Sequence, residues 1–300
     1  MKKILLSAVL IGSLFANEEN YVELGIGHIK SKDNFSTSSQ SNISALNGAK
    51  EESDGFALLN FYYGYELDDD SSIYASAELG GLNLGYNFMT DVGEFDVGIS
   101  GELGGEEWEN PFTTNTNRKK TYVNEVGAYV SYGFEVSPAY QANILYSYSK
   151  RSYDKETVQD DLKRDGTRHI LALDNVYTIN NGDLSFLFNT SYEKYNAQGD
   201  ASTYDTYLLE LGLSANVSQN VNLTLMTEFG KKDYDKSNPV FGKKVDANIK
   251  GIVGIATWDK PFGYENFYSS FKVGHQEEDA NVNFYDKENT FTMLSVGYVF

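Results

Sequence analysis

Residues 56–67 read FALLNFYYGYEL. Ala57, Leu59, Phe61, Tyr63, Tyr65 and Leu67 fall on one face of an extended chain. Leu58, Asn60, Tyr62, Gly64 and Glu66 fall on the other. Successive strand side chains point to opposite faces, so this is a strand with one apolar and one largely polar face. The alternation recurs. Val126, Ala128, Val130, Tyr132, Phe134 and Val136 oppose Glu125, Gly127, Tyr129, Ser131, Gly133 and Glu135. Tyr207, Leu209, Leu211, Leu213, Ala215 and Val217 oppose Thr206, Glu210, Gly212, Ser214 and Asn216, and 221–230 repeats the pattern.

A soluble sandwich buries such apolar faces in a core, whereas a transmembrane barrel turns them to lipid and encloses the polar faces. The runs are about 9–12 residues long, as tilted membrane strands require, and soluble strands average about 5–6. The polar faces are rich in Gly, Ser, Asn and Glu, and Tyr and Phe gather near strand ends, as in interfacial girdles. The reading is all-β, a single antiparallel transmembrane barrel.

Composition removes other classes. The 300 residues contain no cysteine, which excludes a disulfide framework, thiolate metal sites and a cysteine nucleophile. The formal charge of -19 argues against nucleic acid as a partner. Residues 1–16, MKKILLSAVLIGSLFA, place Lys2 and Lys3 before a short apolar run that ends at Ala16. This pattern predicts a cleaved signal peptide, leaving 17–300 as one barrel in the outer membrane of a Gram-negative bacterium.

Strands are expected near 21–30, 56–67, 73–79, 82–89, 94–103, 121–136, 139–149, 167–179, 184–194, 204–217, 221–231, 248–258, 267–275 and 290–300. That is fourteen, with twelve as the alternative because the pair around Gly80-Gly81 is short. Long connections alternate with short ones such as Asp68-Asp69-Asp70 and Ser137-Pro138. Outer-membrane barrels show this pattern, with long external loops and short periplasmic turns. The chain ends FTMLSVGYVF, and Tyr298 and Phe300 on one face resemble the signal read by the barrel assembly machinery.

Glu106–Phe112 (EEWENPF), Asn238–Lys244 (NPVFGKK), Asn281–Asn289 (NVNFYDKEN) and the closing strand resemble an uncharacterised outer-membrane family, domain of unknown function 2860. The resemblance runs along the mature chain and implies one barrel of this size. It brings no reaction and no catalytic residues.

The residues offer no catalytic set either. His28, His169 and His275 all fall on the lipid-facing phase near external strand ends. There they read as interfacial residues, with a rim site for lipopolysaccharide phosphates, or an outward lipase site, as the functional alternatives. The acid runs Asp68-Asp69-Asp70, Asp160-Asp161 and Glu277-Glu278-Asp279 lack a calcium-loop pattern. No enzyme activity, metal or cofactor is expected.

The lumen carries more information. Phase places Glu23, Glu66, Glu78, Asp96, Glu102, Glu125, Glu135, Asp174, Glu193, Glu210 and Glu228 inward, against Arg168, Lys250 and Lys272. Low-dielectric walls focus such an imbalance, so the interior should favour cations unless infolded loops bring bases such as Arg118, Arg151 or Lys232. The expected function is a porin-like channel for passive diffusion of small polar or cationic solutes, sited among outer-membrane lipid and lipopolysaccharide. A barrel plugged by Tyr62, Tyr74, Tyr129 and the first loop, acting in surface binding or adhesion, is the second reading. A lipid-modifying enzyme is the third.

Overall fold

The computed structural model describes residues 19–78, 81–179 and 182–300, apart from the Leu103 side chain. The expected signal peptide lies outside the described residues, as do parts of the turns at Gly80-Gly81 and Asn180-Asn181. Fourteen antiparallel strands follow in order: β1 (Tyr21–Lys32), β2 (Glu52–Asp68), β3 (Ser71–Glu78), β4 (Gly81–Thr90), β5 (Gly93–Trp108), β6 (Lys120–Ser137) and β7 (Tyr140–Tyr153), then β8 (Gly166–Ile179), β9 (Leu184–Ala197), β10 (Tyr204–Ser218), β11 (Val221–Asn238), β12 (Lys243–Asp259), β13 (Phe267–Ala280) and β14 (Lys287–Val299). Each pairs with its sequence neighbours, and β1 pairs with β14, closing the barrel. The short β3 and β4 pair along their lengths with β2 and β5, so the count is fourteen and not twelve.

The surface is that of a soluble protein turned inside out. Leu24 and Ile26 are 63% and 69% exposed on the outer face, as are Leu59, Leu84, Ile99 and Leu225 at half or more. On the inner face Glu23, Asn60, Asn189, Ser270 and Ser295 are buried. Water would not tolerate so continuous an apolar belt; a bilayer requires one. Rings gather on the outer face near the short-turn rim, which is the periplasmic rim of such barrels. Tyr86, Phe88, Phe95, Tyr132 and Phe134 stack in a chain with centroids 4.6–5.4 Å apart.

Phe267, Tyr298, Phe300 and Tyr63 continue that girdle across the seam. The Phe300 amide donates to the Asn20 carbonyl at 2.9 Å. Changing both Tyr298 and Phe300 to Ser should therefore cut assembled protein several-fold, read as loss of the heat-modifiable band on gels. Normal surface assembly of that variant would show the terminal aromatics are incidental.

Several strands outrun the expected ones, by the most at their external ends: β5 reaches Trp108, β11 reaches Asn238 and β12 starts at Lys243. Beyond the hydrocarbon neither face of a strand meets lipid, so the period-two signal ends while the ladder hydrogen bonds continue. The rim is uneven as a result. β3 and β4 have 8 and 10 residues against 18 for β11. The upper part of β5 would then be a bare edge. The first loop, 33–51, covers it through a bridge at Ser36–Glu107, and a second bridge, Asn42–Asn117, ties the loop to the β5–β6 connection. Its Phe35, Ile43 and Leu46 join Phe112 and Phe241 over a buried core of Val245, Ala280, Val282, Phe284 and Tyr285 at the external mouth.

Candidate functional site

At the external end of the lumen, acids and bases alternate around the wall. Arg151 pairs with Glu107; Arg164 reaches Glu107 at 3.2 Å and Glu156 at 2.7 Å. Arg168 lies 3.3 Å from both Glu125 and Glu193. Lys232 bonds Glu278 at 2.9 Å, and Lys287 faces Asp33 at 3.9 Å. Tyrosines floor this belt: Arg164 sits 4.4 Å over Tyr153 and Lys232 5.0 Å over Tyr204. Such desolvated pairs hold one another in register and cancel in the far field. The belt is a nearly neutral collar. Burial pushes the Asp33 carboxyl up from its ordinary range, with Lys287 acting against it.

The collar absorbs three residues expected to set selectivity, namely Glu125, Glu193 and Arg168. Most of its other members were not anticipated as wall residues. Lys232, Glu278 and Lys287 keep the inward parity of Glu228, Lys272 and Phe291, so extending the strand phase would have found them. Glu107 was hidden, because the register shifts between Glu102 and Gly105 and parity flips there. Lys250 is a correction. It lies opposite Phe229 on the outer face and pairs with Glu277 at 3.3 Å. In β12 both phases are apolar, Ile249, Val253 and Ile255 on one and Ile252, Ala256 and Trp258 on the other, so alternation alone could not orient it.

Below the collar, inward acids meet neutral donors. Glu23 accepts from Asn60 at 2.9 Å and from Ser295 at 2.5 Å. Tyr21 donates to Glu78 at 3.1 Å, and Tyr74 to Asp96 at 2.7 Å. Gln276 donates to Glu228 at 2.5 Å. Amides and hydroxyls satisfy a carboxylate without cancelling its charge. Glu102 faces Glu125 across the β5–β6 pair, and Glu66 and Glu135 are exposed on the inward phase near the periplasmic rim. Lys272 is inward, opposite Met293.

Register joins some of these into a track. Asn143 pairs with Asp174; Asn189 pairs with Glu210, Glu210 with Glu228, Glu228 with Gly251, Gly251 with Gln276, and Gln276 with Asn289. Asp174 and Asn189 fall opposite each other between the pairs Leu173–Thr190 and Val176–Leu187. Asp174, Asn189 and Glu210 are buried at 2%, 2% and 7% exposure. Two residues nearer the periplasm runs an apolar row: Val176, Leu187, Gly212, Met226, Val253, Gly274, Phe291 and Ile29, again paired strand to strand. Rows perpendicular to tilted strands climb the wall. From β8 to β14 the climb is roughly 18 Å, at about 4.8 Å per strand and a tilt near 40°. One acid-and-amide track and one apolar track thus ascend side by side.

The tyrosines expected to plug the lumen lie along its wall. A Cβ on Gly85 would meet the Tyr74 ring at 2.4 Å, and one on Gly98 would meet Tyr129 at 2.4 Å. Each ring therefore lies on a neighbouring strand's glycine, and Tyr62 stacks on Tyr74 at 5.2 Å. The first loop does close in, but over the external mouth.

The family model for a protein of unknown function, DUF2860, matches residues 19–299. The chain belongs to this family. No curated protein matches this DUF2860 chain by sequence. Among solved structures it is similar to the Pseudomonas putida toluene transporter TodX, at 10% identity and TM-score 0.53, covering 98% of this chain and 93% of that one. A TodX deltaS2S3 mutant, a monoaromatic hydrocarbon channel, gives 11% identity and TM-score 0.55, covering 99% and 95%. A Pseudomonas aeruginosa FadL homologue gives 9% and 0.53, covering 93% and 90%. These likenesses fix the fold of the DUF2860 chain as an outer-membrane barrel.

Proposed function

We propose that this DUF2860 protein is an outer-membrane channel for small cationic or polar solutes, with an external mouth closed by its loops. One observation carries the reading. Below the neutral collar the wall holds Glu23, Glu78, Asp96, Asp174, Glu210 and Glu228, and the amide and hydroxyl donors bonded to Glu23, Glu78, Asp96 and Glu228 bring no opposing charge. A confined wall on which these acids outnumber Lys272, the single inward base there among the described residues, concentrates cations and disfavours anions.

The apolar track supports a second reading, a path for hydrophobic solutes, of the kind named for TodX. Refolded protein in a planar bilayer under a salt gradient separates the two. A small cation-selective current, which grows when the loops over the mouth are released, is the expected result. Absence of current together with uptake of an aromatic hydrocarbon into proteoliposomes would favour the second.

A further inference from the structure

The outer face at the closing seam changes character in layers. Ile26 and Leu294 pair across β1 and β14, facing lipid. One step outward, His28 lies opposite Thr292, and the next row reads His275, Thr290, Lys30 across β13, β14 and β1. The row beyond holds Glu277, Glu288 and Lys32. In that last row Lys32 bonds Glu288 at 2.5 Å, and Lys250 pairs with Glu277 at 3.3 Å.

The middle rows differ from both neighbours. They bring two imidazoles, one ammonium and two hydroxyls onto three adjacent strands, at the level where the wall passes from lipid to water. A hydrogen bond of 2.8 Å between His275 Nδ1 and Thr290 Oγ1 orients that ring. The carboxylate on Lys30 is Glu51, at 3.5 Å, and both side chains are about half exposed (52% and 48%). Exposed pairs of this kind contribute little and yield to a stronger partner. By contrast the third histidine, His169, bonds Tyr146 and lies opposite Lys194, which Asp205 and Asp235 already hold.

We propose that His28, Lys30, His275, Thr290 and Thr292 form a binding site for a phosphate carried by an outer-leaflet lipid. A phosphate monoester offers several strong acceptor oxygens and more than one negative charge. The site offers the Lys30 ammonium and imidazole and hydroxyl groups able to hydrogen-bond, in a patch continuous with the lipid-facing wall, so the acyl chains of the same molecule lie along Ile26, Leu294 and Val273. The lipid would thereby bridge the seam where the first and last strands close the barrel.

The test uses the full protein extracted from outer membranes in mild detergent. Lipid A that copurifies is measured by mass spectrometry, and thermal midpoints are recorded with added bisphosphorylated lipid A, the same lipid without phosphates, or inorganic phosphate. The wild type should retain lipid A and gain stability from the phosphorylated form alone. The combined variant His28→Gln, Lys30→Gln, His275→Gln should retain about tenfold less, while Lys231→Gln on β11 should not change retention. Equal retention in the combined variant, or equal stabilisation by dephosphorylated lipid, overturns the site. Equal stabilisation by inorganic phosphate overturns the lipid assignment. The lipid comparison on wild type stands even if the variant fails to fold, and none of these results depends on whether the lumen conducts.

Discussion

Replacing Arg118 by Met is expected to raise the conductance of the refolded barrel several-fold and to make the first loop sensitive to protease. Arg118 is 4% exposed in the connection between β5 and β6. Its Nη1 donates to the Asn34 carbonyl at 2.7 Å and to that of Pro111 at 3.3 Å, and Nη2 donates to Ser39 Oγ at 3.1 Å and to the Gln40 carbonyl. The guanidinium lies 4.5 Å over Trp108, whose Nε1 donates to the same Ser39 hydroxyl at 3.0 Å. Burial brings the Arg118 pKa down to about 10, with Asp33 acting against the fall, so at neutral pH the group stays charged and tied to loop carbonyls. Hydrogen bonds to a charged group contribute about 1.5–3 kcal/mol each. Their loss strands buried carbonyls in a loop that carries little independent structure, while the strand ladders below are untouched. The chain has 2 tryptophans, Trp108 in this contact and Trp258 on the outer wall. Emission from Trp108 should shift red as the contact opens. Unchanged conductance with unchanged protease resistance would show that the mouth is held closed by the aromatic core alone.

Cation selectivity should fall sharply when Asp174→Asn, Glu210→Gln and Glu228→Gln are combined, with the zero-current potential in a salt gradient moving towards zero. These acids share one climbing row on the confined wall. Charges in open solution are screened within about 8–10 Å at ordinary salt, and wall charges less so. Amide replacements keep the side-chain volume, so the change reports charge. Neutralising Asp68, Asp69 and Asp70 in the β2–β3 turn should move the potential much less. Glu125→Gln should behave differently again. It strips a carboxylate from the half-buried Arg168 and should cost stability before it alters selectivity. If the turn variant shifts selectivity as far as the wall variant, the acid track is not the selective element. The measurement is best made in the Arg118→Met background, where the mouth is expected to be open.

The sequence by itself determined the barrel and narrowed its strand number to fourteen or twelve; the pairing of the short β3 and β4 decided for fourteen. A lipid-facing strand must show its apolar side chains at every second position, and that requirement is written residue by residue in stretches such as 56–67 and 206–217. It also determined that the acids of one phase share an interior, and that Tyr298 and Phe300 face the same way. Where both phases were apolar, as around Lys250, the rule had nothing to distinguish. Where a bulge inserted itself after Glu102, the rule pointed the wrong way beyond it. Tertiary structure alone decided which acids are neutralised. Arg164 and Asp33 sit in connections and reach the wall only because the loops fold over it, and the Arg168 ion pairs depend on side chains of β6 and β9. Loop conformation is set by contacts between segments far apart in the chain, such as Arg118 on the Asn34 and Gln40 carbonyls, which leave no local periodicity to read. The neutral collar and the closed mouth belong to those contacts, because charge cancellation depends on distance in space and not on spacing in sequence.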